Sequence, residues 1–166
     1  MIDNEYWKRL YKEKFADGVR RAKFIAELIG DWEYEVKPYG FLPESSEYTK
    51  ESPDEKGKPD FEILVSKDRS VFLETTGTKH SRGADDVWVR PDKFDFAKRH
   101  EDLDCWVGHI IEDSHQIRFM KLQNKEKYSI IHPVIGGVTE TYCLIPDRSP
   151  ELIDPDHFEE YLISLK

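Results

Sequence analysis

The stretch that decides the fold runs from Lys58 to Lys79 and reads KPDFEILVSKDRSVFLETTGTK. It contains two apolar runs, residues 61–65 and 70–76, separated by a short polar turn at residues 67–69. Two such runs around a short turn are typical of a β-hairpin. We therefore predict two antiparallel strands here.

Each predicted strand carries an acid near one end: Asp60 opens the first run and Glu74 lies in the second. The start of one hairpin strand lies beside the end of the other, so the two carboxylates are expected to lie close together. Asp60 alone would be ordinary turn chemistry. A second acid in an apolar run changes this, because a buried carboxylate is costly unless it is paired or bound to metal. The hairpin therefore predicts a site for a hard divalent cation.

Pro59-Asp60, thirteen intervening residues and then Glu74-Thr75-Thr76 resemble the motif of the PD-(D/E)XK nuclease superfamily. The segment VWVRPDKFDFAKRHEDLDCWVGHII, residues 87–111, is similar to the part that follows the catalytic strand in the archaeal Holliday-junction-resolvase-like members. The resemblance implies metal-dependent hydrolysis of phosphodiester bonds in nucleic acid.

The resemblance also implies an α/β fold, with a restriction-endonuclease-like αβββαβ core and a mixed central sheet. Further strands and a final helix are expected to extend this core at the C-terminal end. We expect residues 1–166 to form a single nuclease-like domain. Within it we predict an acidic loop insertion at 41–57 and a C-terminal β extension at 113–166.

The same resemblance assigns roles around the hairpin. Asp60, Glu74 and the Thr75 carbonyl are expected to bind Mg²⁺ or Mn²⁺. Thr76 stands where the motif has its lysine, and its hydroxyl can bind water but carries no charge. Lys79, the first cation after Glu74, is expected to replace that lysine in catalysis. The missing lysine also leaves open an alternative, a catalytically degenerate module that binds nucleic acid or a protein partner.

The expected partner is nucleic acid, in the first place DNA. The formal net charge of −9 argues against loose, sequence-independent binding, because affinity for phosphate comes largely from Lys and Arg. Residues 79–100 nevertheless hold six basic and four acidic side chains. The predicted phosphate contacts are Lys79, His80, Arg82, Lys93, Lys98 and Arg99.

Other function classes find no support in the sequence. No run of about eighteen apolar residues is present, so no membrane partner is expected. The first ten residues are too polar for a signal peptide. Cys105 and Cys143 lie in separate apolar runs and are interpreted as reduced core residues of a cytoplasmic protein. The resemblance to junction-cleaving nucleases adds a homodimer as the expected assembly.

Overall fold

The structure, a computed structural model, describes residues 4–40 and 56–166, with side chains of the first helix from Ala16 onward. Within these residues the chain forms three α-helices and ten strands. The helices are α1 (Asn4–Asp31), α2 (Pro91–Arg99) and α3 (Pro155–Ser164). The strands are β1 (Glu35–Pro38), β2 (Phe61–Ser66), β3 (Arg69–Thr78), β4 (Val87–Val89), β5 (Asp104–Ile111), β6 (Gln116–Lys121), β7 (Ser129–Ile131), β8 (Val134–Ile135), β9 (Val138–Thr139) and β10 (Tyr142–Ile145).

The central sheet has five strands in the order β1-β2-β3-β5-β6. β3 and β5 are parallel, and every other neighbouring pair is antiparallel, so the sheet is mixed. The parallel pair requires a crossover connection, and α2 lies in it. The predicted αβββαβ order with a mixed sheet is confirmed, with β4 as an added strand before α2.

The two faces of the central sheet follow the alternation of side chains along its strands. Val71 and Leu73 of β3 pack with α1 and α3 in one buried cluster. Phe72 packs with α2, β4 and β10 in a second buried cluster on the other face. Glu74 and Thr76 therefore belong to the α2 side, and Thr75 belongs to the α1 side. This division places the candidate site under α2.

The chain beyond residue 113 forms more elements than predicted. β6 completes the central sheet, β4, β10 and β7 form a three-stranded sheet, and β8 pairs with β9. The hairpin signal at Gly136-Gly137 is confirmed, since both glycines adopt positive φ, at 59° and 82°, between β8 and β9. Asp154 caps α3 by accepting a hydrogen bond from His157 N at 2.9 Å.

Several local expectations need correction. The sequence predicts a strand at residues 32–36, but β1 begins only at Glu35, because Glu33 adopts φ 70° in a turn after α1. The apolar spacing in the first thirty residues predicts either one amphipathic helix or a pair broken at Gly18, and the structure has one helix, α1, which continues through Gly18. Only residues 56 and 57 of the predicted acidic loop belong to the described part, where they form a turn. The rest of that prediction lies outside the described residues.

Both cysteines are buried and free, as predicted. In the described part of the chain, no helix combines the length and the apolar character needed to cross a membrane.

Candidate active site

The hairpin β2-β3 brings Asp60 to the strand that carries Glu74. Phe61 pairs with Leu73, so Asp60 and Glu74 flank this pair on the same side. Asp60 Oδ2 accepts hydrogen bonds from Thr75 N at 2.9 Å and from Thr75 Oγ1 at 2.7 Å. These bonds fix the Asp60 carboxylate against the backbone of β3, next to Glu74.

Glu74 is the most strongly perturbed acid of this group. Its side chain is only 13% exposed. Burial, followed by the negative charge of Asp60, raises the pKa of Glu74 to about 8, although the positive charges of Lys93 and Arg90 oppose this rise. Perturbed titration of this kind, produced by burial and a neighbouring like charge, is a frequent property of catalytic carboxylates.

Lys93 of α2 is the partner of Glu74. Its Nζ lies 2.9 Å from Glu74 Oε2. At this distance the two side chains form a buried salt bridge. Nζ also donates a hydrogen bond to the Lys58 carbonyl oxygen at 3.2 Å. Burial is the largest influence on Lys93 and lowers its pKa, but the negative charges of Glu74 and Asp60 together with the contact to Glu74 outweigh it, so the pKa is raised.

Lys93 was expected on the outer face of its helix, as a phosphate contact. The expectation that Lys93 is exposed is wrong, because the residue is buried, at 6% exposure. α2 begins at Pro91, and its first turn lies over the α2 side of β3, so the Lys93 side chain reaches inward to Glu74. The sequence gives one signal for this arrangement, because a buried acid requires a nearby cation.

Lys79 is not brought to Glu74. β3 continues through Gly77 to Thr78, and alternation places Lys79 on the α1 side. There its Nζ lies 3.8 Å from Asp17 Oδ2, and its side chain is 58% exposed. Gly77 does not provide a sharp return but allows close approach of β5, since a Cβ at this position would lie 2.4 Å from the Ile110 carbonyl oxygen.

Thr76 lies two residues after Glu74, on the same face of β3. In the sheet it pairs with His109 of β5. His109 is buried, and burial together with the positive charge of Arg118 lowers its pKa to about 4. Thr76 and His109 are therefore neutral neighbours of the carboxylates at neutral pH.

The remaining predicted phosphate contacts are spread over the molecule. His80 Nδ1 lies 3.3 Å from Asp113 Oδ2, near the α1 side. Lys98 and Arg99 are exposed in the last turn of α2, and Arg99 donates to the Lys56 carbonyl oxygen at 3.0 Å. The guanidinium carbon of Arg82 lies 4.9 Å from the centre of the Trp88 ring. The predicted set therefore does not form one patch around Glu74.

Asp60 and Glu74 fit a hard divalent cation, because two carboxylates that raise each other's cost of ionisation are stabilised by positive charge between them. Glu74 Oε2 is buried, and Lys93 Nζ is its cationic neighbour at 2.9 Å. Among the described residues, no group of three or more His, Cys, Asp or Glu side chains is arranged to hold a metal. Two carboxylates are within the number that Mg²⁺ commonly takes in proteins, where water and phosphate complete its shell.

Comparison with known proteins shows which solved structures are similar to this chain. No protein-family model and no curated protein matches the sequence. Among solved structures, the chain is similar to Hjc of Archaeoglobus fulgidus, a Holliday junction resolvase from an archaeal hyperthermophile. The TM-score is 0.55 at 13% identity, over 86% of this chain and 99% of that one. The chain shares the fold of that structure, an α/β fold with a restriction-endonuclease-like core and a mixed central sheet.

A second similar structure is D212, a nuclease from a fusselovirus, with a TM-score of 0.49 and 16% identity over 87% of this chain and 90% of that one. The similarity to Hjc covers nearly all of that protein, so the fold that the sequence resemblance implied is confirmed for the chain's core.

Proposed function

We propose that the protein is a metal-dependent nuclease that hydrolyses phosphodiester bonds in DNA. The observation that carries the proposal is the buried Glu74 carboxylate, placed between Asp60 and Lys93 on the central strand of a nuclease fold. A fold alone does not determine function, but a perturbed acid with a like-charged and an oppositely charged neighbour is a chemical site.

Asp60, Glu74 and the Thr75 carbonyl would hold Mg²⁺ or Mn²⁺, which when bound lowers the pKa of a water molecule and neutralises charge on the phosphate. The chain's own residues prepare the site. Thr75 holds the Asp60 carboxylate through two hydrogen bonds, so that its orientation is set before any ligand arrives. The Lys93 ammonium lies beside the Glu74 carboxyl group in a region with little water, where electrostatic interactions are stronger.

We assign to Lys93 the catalytic role that the resemblance implied for Lys79. Its ammonium has three N–H donors, and the described contacts to Glu74 and the Lys58 carbonyl account for two of them. The third can orient the attacking water or contact a phosphate oxygen. The Thr76 hydroxyl adds a neutral hydrogen-bond donor on the same face of β3.

The second candidate function is a catalytically degenerate module that binds nucleic acid or a protein. The observation that favours it is the contact between Lys93 and Glu74. The Lys93 ammonium already compensates negative charge that would otherwise attract a metal ion. The two candidates differ in whether a divalent cation binds to the folded protein. The homodimer and the cytoplasmic location stay predictions.

The test measures melting temperature and DNA cleavage with and without Mg²⁺ or Mn²⁺. A metal that binds only the folded state raises the melting temperature by mass action. We expect such a rise in the parent protein, metal-dependent cleavage, and a loss of cleavage of at least about 100-fold in Glu74→Gln.

Glu62→Gln is the matched control, since Glu62 lies on the same hairpin but accepts a hydrogen bond from Ser70 Oγ at 2.8 Å. It should cleave like the parent. No shift in melting temperature and no cleavage with either metal would overturn the nuclease proposal and favour the binding module.

A further inference from the structure

A stack of three side chains covers the outer face of the sheet formed by β4, β10 and β7. Val87 and Val89 of β4 are buried, so Trp88 between them points to the opposite face, where it is half-buried. The rings of Trp88 and Tyr142 lie 5.8 Å apart at 36°, and Arg82 lies over the Trp88 ring. One tryptophan face thus lies under an exposed, charged side chain.

The parts of this stack are held by contacts of their own. The Tyr142 hydroxyl donates to Glu140, which fixes the tyrosine ring beside Trp88. Arg82 N donates to Asp85 Oδ1 at 2.8 Å, so the backbone of the loop that carries Arg82 is also tied down.

A second set of contacts anchors that loop to the rest of the fold. Asp86 Oδ1 accepts from Asp147 N at 2.9 Å. The buried Arg118 of β6 donates to the Asp85 carbonyl. The Arg82 side chain can therefore move without disturbing the loop that bears it, while the aromatic pair keeps its position.

Arg90 connects the stack with the carboxylate pair. It lies two residues after Trp88, directly before α2, and its side chain is 53% exposed. Burial raises the pKa of Glu74 and the pKa of Tyr142, and the positive charge of Arg90 acts against the rise at both residues. A polyanionic strand with a phosphate at Glu74 would thus meet Arg90 before it reached Trp88.

This order of groups matches the chemistry of a single-stranded nucleic acid. Such strands bind where positive charge follows the backbone and aromatic rings stack on the bases. In an uninterrupted duplex the faces of the bases are already stacked on each other, so an aromatic side chain reaches a base face only where the strand is unpaired or the base is displaced.

We propose that Trp88, with Tyr142 behind it and Arg82 above it, binds an unpaired base of the strand whose phosphate lies at Asp60 and Glu74. The inference rests on the proposed nuclease function and specifies its substrate, which is DNA with an unpaired segment. Arg82 leaves the ring for the neighbouring phosphate when the base stacks. This places the single-stranded part of the substrate along β4 and the cut beside Asp60 and Glu74.

The test compares the affinities of Trp88→Ala and Trp88→Phe for three DNAs of one sequence: a single strand, a full duplex and a duplex with an unpaired flap. Binding is measured by fluorescence anisotropy in EDTA, so that no cleavage occurs. Trp88→Ala should weaken binding to the single strand and the flap by about 5- to 150-fold and leave the duplex affinity unchanged. Trp88→Phe should keep most of the affinity, because it retains an aromatic face.

Tryptophan emission is a second measurement, independent of the folding of Trp88→Ala. The single strand should quench the emission of the parent protein and of the variant Trp32→Phe. The Trp32 indole lies beside the stacked rings of Phe119 and Phe158 in the other cluster. In Trp88→Phe that quenching should disappear. Quenching that persists in Trp88→Phe, or an equal loss of affinity for single strand and duplex in Trp88→Ala, would overturn the stacking site.

The two proposals fail separately. If the parent cleaves DNA with metal and Trp88→Ala binds all three DNAs like the parent, the stacking site is wrong and the nuclease proposal stands. If Trp88→Ala loses only the unpaired substrates while the parent never cleaves with either metal, the stacking site stands and the nuclease proposal fails.

Discussion

Each side of the central sheet carries a glutamate with cationic partners, but the number of cations around the two glutamates differs. On the α1 side, Glu112 binds Arg20 at 2.6 Å and Arg21 at 3.2 Å, where the side chain of Arg20 is 53% exposed. On the α2 side, Glu74 and Lys93 form a single buried pair, with Asp60 as an unfavourable neighbour. One glutamate has two cations, and the other shares one cation with a second acid.

The pKa values of the two glutamates show what this difference does. The Arg20 hydrogen bond, against some burial and with help from Arg21, lowers the pKa of Glu112. Burial and Asp60 raise the pKa of Glu74 to about 8. A carboxylate that is paired with two arginines has little to gain from another cation, and a buried carboxylate that shares one lysine with a second acid has much to gain. The comparison therefore points to the α2 side as the chemical site, although the α1 side carries more cations.

The largest expected effect separates the two lysines. Lys93→Ala should lower the cleavage rate by about 100- to 1,000-fold, the cost of removing one positioned donor from a reaction centre. Lys79→Ala, its matched control on the α1 side, should cleave like the parent, since Lys79 contacts Asp17 there. Rates are measured at saturating metal and DNA, with melting curves to show that both variants are folded. A slow Lys79→Ala and a normal Lys93→Ala would reverse the assignment.

Much of this fold was accessible from local sequence patterns. The hairpin follows from two apolar runs around a polar turn, α2 from Pro91 at its first position, and the β8-β9 turn from Gly136-Gly137. Each of these features depends on neighbours in the chain. That is why they could be recognised without knowledge of the packing.

The candidate site was less accessible, because it depends on contacts between distant parts of the chain. The burial of Lys93 requires α2 to pack over β3, and no periodicity within α2 indicates it. The position of Lys79 was recoverable in principle: had β3 been extended to Thr78, alternation alone would have placed Lys79 opposite to Glu74. The pairing of Trp88 with Tyr142 depends on β4 lying beside β10 and has no local signal.

The next effect concerns how metal binding depends on pH. Because the pKa of Glu74 is about 8, a cation that binds there must displace a proton below that pH. The rise in melting temperature with Mn²⁺ should therefore be small at pH 6 and grow as the pH approaches 8, with affinity increasing by up to about tenfold per pH unit.

Glu112→Gln is the matched control on the α1 side and should show the same pH profile as the parent. Glu74→Gln should show no metal response at any pH in this range. A response to Mn²⁺ that is equally large at pH 6 and pH 8 would mean that Glu74 is already ionised, and the difference between the two sides of the sheet would lose its basis.

The smallest expected effect is on stability without metal, and it has opposite signs on the two sides. The folded pKa of Glu74 is raised, so between about pH 5 and 8 the folded state holds more protons than the unfolded state. Its contribution to the free energy of unfolding falls by at most about 1.4 kcal/mol per pH unit as the pH rises. The folded pKa of Glu112 is lowered. Its contribution to the free energy of unfolding is therefore present above the ordinary pKa of a glutamate and is lost as the pH falls into the acid range.

Urea unfolding of the parent, Glu74→Gln and Glu112→Gln between pH 4 and 8.5 measures both contributions as differences from the parent. Glu74→Gln should gain stability relative to the parent as the pH rises. Glu112→Gln should lose at most about 1 kcal/mol at neutral pH and approach the parent in acid, since partly exposed ion pairs contribute little. If Glu74→Gln instead became relatively less stable toward pH 8, the ionised Glu74 would be well compensated by Lys93. The α2 side would then hold a structural ion pair, like the α1 side.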